Sequence, residues 1–231
     1  MQNQILNKKN AVIVMEDIPL LPETAELAEL IGIVLGDGSF YVKDGSYQFD
    51  IAFDKKEEAY LDFVEDLVKK IVEVRTWRKR DKTKNCIHLK VCNKKDVLLL
   101  LRNTIKIPGD KVKNEVTVPQ WVFKRDDFKR TCIRGLIDTD GSVFRMSKRD
   151  SHLIRIGFKN VNKKVLDGMR RMLVELNFHP SKIICGNAIF LSRQSEITRY
   201  KEEIGFNNQK NLNRYKLIAP SSSGQEVAPL L

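Results

Sequence analysis

The feature of this sequence that most constrains its fold is an internal repeat. Residues 30–40 (LIGIVLGDGSF) match residues 133–144 (IRGLIDTDGSVF), and the residues that follow the two segments also correspond. Four residues recur 103 positions later, with Gly32, Asp37, Gly38 and Ser39 returning as Gly135, Asp140, Gly141 and Ser142. A repeat of this kind is typical of a duplicated structural unit. The chain is therefore predicted to contain two copies of one fold.

The residues around each copy indicate the order of the secondary structure. Apolar residues at helical spacing precede the first aspartate, and Pro22 with Glu23 suits a helix start. An alternating segment at 47–53, an amphipathic segment, two more strand-like segments and a helical segment follow. In the second copy, strands are predicted at 153–159 and around Ile183 and Ile189, with a helix at 195–204. The predicted fold class is α+β, with two pseudo-symmetric αββαββα halves.

The domain boundaries follow from this pattern. Residues 1–21 are predicted to form an N-terminal extension and residues 22–107 the first repeat. Residues 108–121 are a linker in which Gly109 and Pro119 break regular structure, and residues 122–218 are the second repeat. Residues 219–231 (APSSSGQEVAPLL) are small, polar and proline-bearing, and they are predicted to be a disordered tail.

Small residues one turn apart line both repeated helices. Interior glycine costs about 0.5–1 kcal/mol relative to alanine, so a packing reason is expected. We expect the two helices to pack against each other along these rows, which would bring Asp37 and Asp140 together at the helix ends. The rows are Ala28, Gly32 and Gly36 in the first copy and Thr131, Gly135 and Thr139 in the second.

The two aspartates are candidates for a metal site. A single Asp-Gly pair after a helix is more typical of a turn, and its recurrence in matching surroundings is what favours a function. Two carboxylates near two helix C-termini repel each other and oppose the helix dipoles, and a divalent cation removes this conflict. Carboxylate and carbonyl oxygens suit Mg²⁺. Asp138 corresponds to Leu35 in the first copy, so we expect it either to be structural or to support a metal-binding residue without binding the metal itself.

The two repeated segments resemble the signature helices of the LAGLIDADG homing-endonuclease family, in its two-motif form, and the resemblance covers roughly residues 22–217. It implies that Asp37 and Asp140 hold the catalytic metal ions, assisted by the carbonyls of Gly36 and Thr139. It also implies antiparallel sheets that form a DNA-binding saddle. The implied activity is that of a monomer making a metal-dependent double-strand break, with short 3′ overhangs, at a long, partly degenerate, asymmetric site. Mg²⁺ is the implied cofactor; Mn²⁺ is expected to substitute, and Ca²⁺ to bind without cleavage.

The charge of the chain favours a polyanionic partner. The formal net charge is +11, and residues 119–231 hold 21 Lys and Arg against 11 Asp and Glu, whereas residues 1–118 hold 20 against 19. Neutralising phosphates releases condensed counterions and drives association. The second half is therefore expected to hold double-stranded DNA more strongly.

Side-chain parity along the strands separates the core from the surface that would face DNA. In residues 47–53 and 153–159 the apolar residues face the helices, which leaves the alternate residues outward. For the basic residues at 75–84 a solvated hairpin is an equal alternative. For Cys86, His88 and Cys92 a zinc site is a weaker one, because the pattern lacks a second ligand pair. The predicted DNA contacts are Ser39, Tyr41, Lys43, Gln48, Asp50, Asp54, Arg75, Arg78, Lys79, Arg80, His88, Lys90, Arg145, Lys148, Arg149, Arg155 and Lys159.

Three basic residues are candidates for an auxiliary catalytic group. Lys159 is the first choice, because the family often places a polar or basic residue where that strand ends. Lys94 and Arg193 are further candidates. Asp54 is expected at the position that is symmetry-related to Lys159.

Two alternatives to cleavage stay open. An intron RNA maturase would bind its own intron RNA and could dispense with both aspartates, and a non-cleaving DNA-binding regulator would use the same fold. A regulator is expected to carry a helix-turn-helix module, for which the sequence has no room after Leu217, and an intein is disfavoured because the splicing residues are missing. Four cysteines and no long apolar run favour a cytoplasmic protein, nucleoid-associated when bound, with no membrane partner.

Overall fold

The fold was analysed in a computed structural model, which describes residues 20–43, 46–81, 84–91, 95–106, 116–146 and 153–218. For residues 42, 43 and 46 it describes the backbone alone. The predicted N-terminal extension up to residue 19, linker residues 108–115 and the tail at 219–231 lie outside the described residues. So do Lys94, Lys148, Arg149 and the side chain of Lys43.

The α+β class is confirmed, and the first half has the predicted order of elements, whereas the described part of the second half has one strand fewer than predicted and an additional helix at its end. The first half contains α1 (Ala25–Asp37), β1 (Gly38–Lys43), β2 (Ser46–Asp54), α2 (Glu58–Ile71), β3 (Thr76–Arg80), β4 (Cys86–Val91) and α3 (Lys95–Ile105). A 3-10 helix (Gln120–Lys124) leads into α4 (Asp126–Asp140), β5 (Gly141–Arg145), β6 (Ile154–Lys159), α5 (Lys163–Glu175), β7 (Ala188–Leu191), α6 (Gln194–Glu203) and α7 (Gln209–Ile218). Among the described residues, no helix is long and apolar enough to cross a bilayer.

Each half has one antiparallel sheet with a buried face against the helices. The strand order is β1-β2-β4-β3 in the first sheet and β5-β6-β7 in the second. The predicted parity is confirmed, since Phe49, Ile51 and Phe53 are buried, and so are Ile154, Ile156 and Phe158. The alternation arises because successive side chains of a strand point to opposite faces. Each sheet therefore keeps one face for the core and leaves the other for a partner.

The second sheet departs from the prediction at its edge. The strand expected around Ile183 is reduced to a single bridge between Ile184 and Ala188, and the described part of this sheet has three strands. A tight turn follows, with positive φ at Cys185 and Gly186. The N–H of Phe190 donates to the Ser181 hydroxyl at 3.1 Å, where a regular ladder would supply a backbone carbonyl. The edge is thus closed by a turn and a side chain.

Helices α1 and α4 form the centre of the molecule through glycine contacts, as predicted. A Cβ placed on Gly32 would lie 2.3 Å from the Cys132 carbonyl oxygen, and one on Gly135 would lie 2.4 Å from the Glu29 carbonyl oxygen. Real Cβ atoms do not approach this closely, so only glycine permits the separation of these helix backbones. The two halves therefore meet backbone to backbone.

The glycines after the two aspartates serve packing and not a left-handed turn. Helices often end on a glycine in the left-handed conformation, but Gly38 has φ −79° and Gly141 has φ −91°. Their amides close the helices by donating to the Val34 and Ile137 carbonyls. A Cβ on Gly38 would lie 2.7 Å from the Val34 Cα, which excludes any side chain there. The chain passes directly from helix into strand.

A buried polar network ties the C-terminal segment to the central helices. Arg134 of α4 makes two hydrogen bonds to Glu29 of α1, at 2.9 and 2.6 Å, and a third to the Ile204 carbonyl. Burial lowers the pKa of Arg134, but its bonds to Glu29 outweigh this and raise it. Asp138 accepts hydrogen bonds from the amides of Asn207 and Asn208, at 2.7 and 3.1 Å. Asp138 thus anchors the segment before α7, in keeping with the structural role expected for it.

Candidate nuclease site

The repeated aspartates lie at the paired ends of α1 and α4. The contact that joins these ends involves the preceding residues, because a Cβ on Gly36 would lie 2.1 Å from the Thr139 hydroxyl oxygen. Asp37 is exposed, and Asp140 is partly exposed. The two helices thus end side by side, each with an accessible aspartate. Carboxylate and carbonyl oxygens are the donors that hard divalent cations prefer.

A cavity of about 300 Å³ opens beside Asp140. Asn160, which follows β6, donates from Nδ2 to the Asp140 carboxylate at 2.8 Å. The side-chain oxygen of Asn162 caps α5 by accepting a hydrogen bond from the Lys164 backbone amide. The backbone amide of Asn162 donates to the side-chain oxygen of Asn160. The loop after β6 thus fixes the Asp140 carboxylate. The cavity is lined by Leu35, Gly36, Asp140, Lys159, Asn160, Val161, Asn162 and Asn187.

Of the predicted auxiliary groups, Lys159 is beside this cavity. Its side chain is exposed, and it belongs to the same lining as Asp140 and Gly36. Lys94 is outside the described residues. Lys159 is therefore the one described candidate that the fold brings to the cavity beside Asp140.

Arg193 is at the wrong end of the second sheet for this role. Lys159 pairs with Ala188 at the start of β7, whereas Arg193 follows the other end of that strand. The next residue, Gln194, donates to the Ile154 carbonyl, five residues from Lys159 on β6. At the rise of an extended strand this is about 17 Å. The prediction for Arg193 failed because strand order, and not residue type, decides which strand end reaches the aspartates.

The strand registers also correct the symmetry partner of Lys159. Gly38 pairs with Ile51, and its counterpart Gly141 pairs with Phe158. The position equivalent to Lys159 is therefore Ala52, and Asp54 lies two residues further along. Asp54 accepts hydrogen bonds from the Lys56 amide and from Asn85. The first half thus has no basic residue at this position, and the predicted placement of Asp54 was wrong.

The outward face of the first sheet is polar and basic. Trp77 and Lys79 of β3 and Lys90 of β4 lie on it, and Trp77 is exposed. Tyr41 donates from its hydroxyl to Gln48. The predicted contacts that this face carries are Ser39, Tyr41, Gln48, Asp50, Lys79, His88 and Lys90.

Asp50 is the centre of a hydrogen-bond network on this face. It is 7% exposed, and its carboxylate lies 2.8 Å from His88 Nδ1, 3.4 Å from the Ser39 hydroxyl and 3.8 Å from Lys90 Nζ. His88 Nε2 in turn lies 3.5 Å from the Cys86 Sγ. Among the described residues, no three His, Cys, Asp or Glu side chains are arranged to hold a metal ion.

Two predicted contacts, Arg78 and Arg80, have their side chains on the helical side. Arg78 bonds to Asp62 and Glu65 of α2, both at 2.6 Å, and Arg80 bonds to Glu58 at 3.1 Å. The structure therefore contradicts their placement with Lys79 on the outward face. The error arose because a basic run in a strand alternates between faces. Arg75, just before β3, is exposed.

The outward face of the second sheet combines basic and aromatic side chains. Arg155 lies over the Phe190 ring, 5.1 Å from its centroid. Arg145 is exposed at the far end of β5, but it pairs with the buried Ile154, so strand parity assigns it to the opposite face from Arg155. Arg214 of α7 donates to the Ser142 hydroxyl at 3.0 Å, which adds an exposed cation beside β5.

The comparisons with known proteins agree with this architecture. The protein has an α+β fold with two sheets, and its two paired helices each end in an aspartate. The family model of the LAGLIDADG-like domain matches residues 24–104 and again residues 127–205. The chain therefore belongs to the LAGLIDADG family.

Three solved structures illustrate the likeness. The homing endonuclease I-DmoI, in complex with DNA and Mn, has 17% identity and a TM-score of 0.53, over 78% of this chain and 96% of that one. The meganuclease I-AabMI, bound to uncleaved DNA, has 12% identity and a TM-score of 0.54, over 81% and 87%. The N-terminal LAGLIDADG domain of DUF199/WhiA has 14% identity and a TM-score of 0.52, over 83% and 88%. At these identities the likeness establishes the fold. No curated protein matches the sequence.

Sequence reasoning missed three groups at or near the site. Asn160 is one residue beyond the predicted Lys159, and the end of the strand was the signal that could have found it. Asn162 caps the next helix, which an Asn before an amphipathic segment can indicate. Arg214 lies on α7, a helix that was not predicted, and only the tertiary fold brings it to β5.

Proposed function

We propose that this protein is a site-specific DNA endonuclease of the homing type. It acts as a monomer on double-stranded DNA, and it cuts both strands at a long, partly degenerate, asymmetric site, leaving short 3′ overhangs. The observation that carries the proposal is the pair of aspartates at the joined ends of α1 and α4. Family membership and the net charge of +11 support it.

The donor set at the helix ends fits a divalent cation. Asp37, Asp140 and the carbonyls of Gly36 and Thr139 would hold it, with Mg²⁺ as the natural ion, Mn²⁺ as a substitute and Ca²⁺ as a non-catalytic one. The bound ion supplies Lewis-acid stabilisation of the phosphodiester as charge develops on its oxygens.

The chain's own residues orient the site and the substrate. Asn160 holds the Asp140 carboxylate in one orientation through its 2.8 Å hydrogen bond. Lys159, exposed at the rim of the cavity, neutralises a phosphate of the cut strand. The outward faces of the two sheets bind the flanking DNA. Because the first half has Ala52 where the second half has the basic residue Lys159, the two DNA strands are cut by sites of unequal composition.

A cleavage selection tests the proposal and identifies the target sequence in the same experiment. Randomised duplex DNA is incubated with the protein in Mg²⁺, and newly cut ends are captured and sequenced. We expect paired cuts with 3′ overhangs at related sequences, no cutting in EDTA, and binding without cutting in Ca²⁺.

Variants separate the roles of the residues. Asp37→Asn or Asp140→Asn should reduce cutting by at least about a hundredfold while retaining binding in Ca²⁺. Lys159→Met and Asn160→Ala should lower the cutting rate by about tenfold or more at unchanged binding. Undiminished cutting by Asp37→Asn, or cutting without metal, would refute the proposed chemistry. Specific binding with no cutting in Mg²⁺ would favour the non-cleaving alternative.

A further inference from the structure

An aromatic pair lies on the outward face of the second sheet, away from the core. Phe144 of β5 and Phe190 of β7 have ring centroids 6.2 Å apart at an interplanar angle of 85°. Both are partly exposed, and neither belongs to the buried cluster or to the side chains packed against it. The inward face of the same strands already closes the core. The two rings are therefore surplus to the packing of this half.

The pair rests directly on the sheet backbone at Gly157. A Cβ at this position would lie 3.0 Å from Cδ1 and Cε1 of Phe190 and 3.1 Å from Cε1 of Phe144. Gly157 pairs with Ser142 on one side and with Phe190 on the other. A glycine at the centre of the face lets the two rings form one shallow apolar surface.

A cation with a defined direction borders this surface. The Arg155 guanidinium lies 5.1 Å from the Phe190 ring centroid, and its Nε donates to the Ser192 hydroxyl at 3.0 Å. The ring and the hydroxyl restrict its orientation. The aromatic pair thus has a positioned donor beside it.

The equivalent place in the first sheet has the opposite chemistry. By register, Gly157 corresponds to Asp50, because Ser142 pairs with the former and Ser39 with the latter. Asp50 holds His88 and Ser39 in a polar network. One outward face thus has a carboxylate at its centre, and the other has two phenyl rings. A DNA target with two identical half-sites would therefore not match both faces.

We propose that the Phe144–Phe190 pair is a thymine-reading site, which takes the C5-methyl groups exposed in the major groove of the half-site bound by the second sheet. This inference rests on the proposed DNA-binding function. Thymine is the only standard base that presents a methyl group in that groove, and phenyl rings satisfy none of the donors and acceptors of the other base edges. Arg155 then donates to the O6 and N7 acceptors of a neighbouring guanine.

The proposal is tested by removing methyl groups from the DNA. Two pools of randomised duplex DNA, one made with thymine and one with uracil in its place, are bound to the full chain in Ca²⁺ and the retained sequences compared. We expect thymine to be enriched at positions in one half of the site, and this enrichment to vanish in the uracil pool. At such a position, replacing thymine by uracil should weaken binding about fourfold.

Variants assign the effect to the rings. Phe144→Ala and Phe190→Ala should bind the thymine and uracil forms of the selected site equally. Phe123→Ala is the matched control, because Phe123 also lies under an arginine, with Arg171 4.1 Å from its ring centroid, but on the 3-10 helix before α4. This control should keep the fourfold difference. Circular dichroism checks that each variant is folded. The comparison of thymine and uracil DNA with the wild-type protein does not depend on any variant.

The outcomes distinguish the two levels of proposal. Sequence-specific binding with equal affinity for thymine and uracil at every position would overturn the thymine-reading site and leave the DNA-binding function standing. The same holds if both phenylalanine variants retain the difference. Absence of any specific DNA binding would overturn the proposed function and this inference with it.

Discussion

At the scale of single residues, the site combines two exposed or partly exposed carboxylates with one that is buried. Asp37 and Asp140 are accessible at the helix ends, whereas Asp138, two residues before the second of them, is 2% exposed. Burial raises the pKa of Asp138 to about 7, although the amides of Asn207 and Asn208 lower it. Neighbouring aspartates of one helix thus have different tasks, because the helix turns one into the interface and the other toward solvent.

The raised pKa of Asp138 predicts a pH-dependent stability. The folded protein keeps this proton up to about pH 7, whereas the unfolded chain loses it near the ordinary value of 3.8. The folded state therefore binds more protons between these limits, and its stability falls as the pH rises from about 4 to about 7, by roughly 2–4 kcal/mol from this group. Asp138→Asn removes the titration. The stability of the variant relative to the wild type should rise over the same interval.

Urea denaturation at a series of pH values measures this difference. Asp127→Asn is the control of opposite sign, because the hydrogen bond from Arg125 lowers the pKa of Asp127, and its stabilising effect appears as the pH rises. A relative stability of Asp138→Asn that does not change with pH would contradict the assignment of a protonated, buried carboxyl.

At the scale of elements, the contact between α1 and α4 decides how the halves are joined. The two helices approach so closely that Gly32 and Gly135 touch backbone atoms of the opposite helix. Because the aspartates are at the ends of these helices, the separation of the backbones also sets the separation of the carboxylates. Stability and geometry of the site therefore depend on the same contact.

Gly32→Ala is predicted to destabilise the protein by about 2–4 kcal/mol, since its Cβ would meet the Cys132 carbonyl oxygen at 2.3 Å and the helices must separate. Gly168→Ala is the matched control within α5. Its Cβ would meet the Val118 side chain at 2.8 Å but no backbone atom closer than 3.9 Å, and the gain in helix propensity offsets part of the cost, so a smaller loss is expected than for Gly32→Ala. Urea denaturation compares the two. Equal stabilities would contradict backbone contact as the reason for Gly32.

At the scale of the whole molecule, the positions of the basic side chains distinguish those that can contact DNA from those that pair with carboxylates of the protein. Lys79 and Arg78 are neighbours in β3, but Lys79 lies on the outward face, whereas Arg78 bonds to Asp62 and Glu65 of α2. Only the former is free to meet phosphates. The charge of the chain therefore overstates the number of cations that face DNA.

The salt dependence of DNA binding tests this separation. Lys79→Ala should lower the slope of log K against log salt concentration by about 0.9, the effect of one lost phosphate contact. Arg78→Ala should leave the slope unchanged, since its partners are on the protein. Fluorescence anisotropy on a selected duplex in Ca²⁺ provides the measurement. A larger change for Arg78→Ala than for Lys79→Ala would mean that the outward face has been assigned to the wrong side of the sheet.

Much of the architecture could be predicted from the sequence, because it depends on local periodicity and on the repeat. The order of elements in the first half, most of that in the second, the inward faces of β2 and β6, and the packing of α1 on α4 follow from alternation, helical spacing and rows of small residues. The class of protein follows from the two LAGLIDADG-like segments. These features depend on local sequence patterns, and the patterns occur in both repeats.

The tertiary structure decided what depends on register and neighbours far apart in sequence. It placed Asn160 on Asp140, sent Arg193 to the opposite strand end, turned Arg78 and Arg80 toward α2, and made Ala52 the counterpart of Lys159. A residue type indicates what a side chain can bind, but strand pairing decides which side chains share a surface. A shift of two residues in strand pairing keeps every side chain on its face and changes only its partner, so alternation by itself cannot distinguish Ala52 from Asp54 as the counterpart of Lys159.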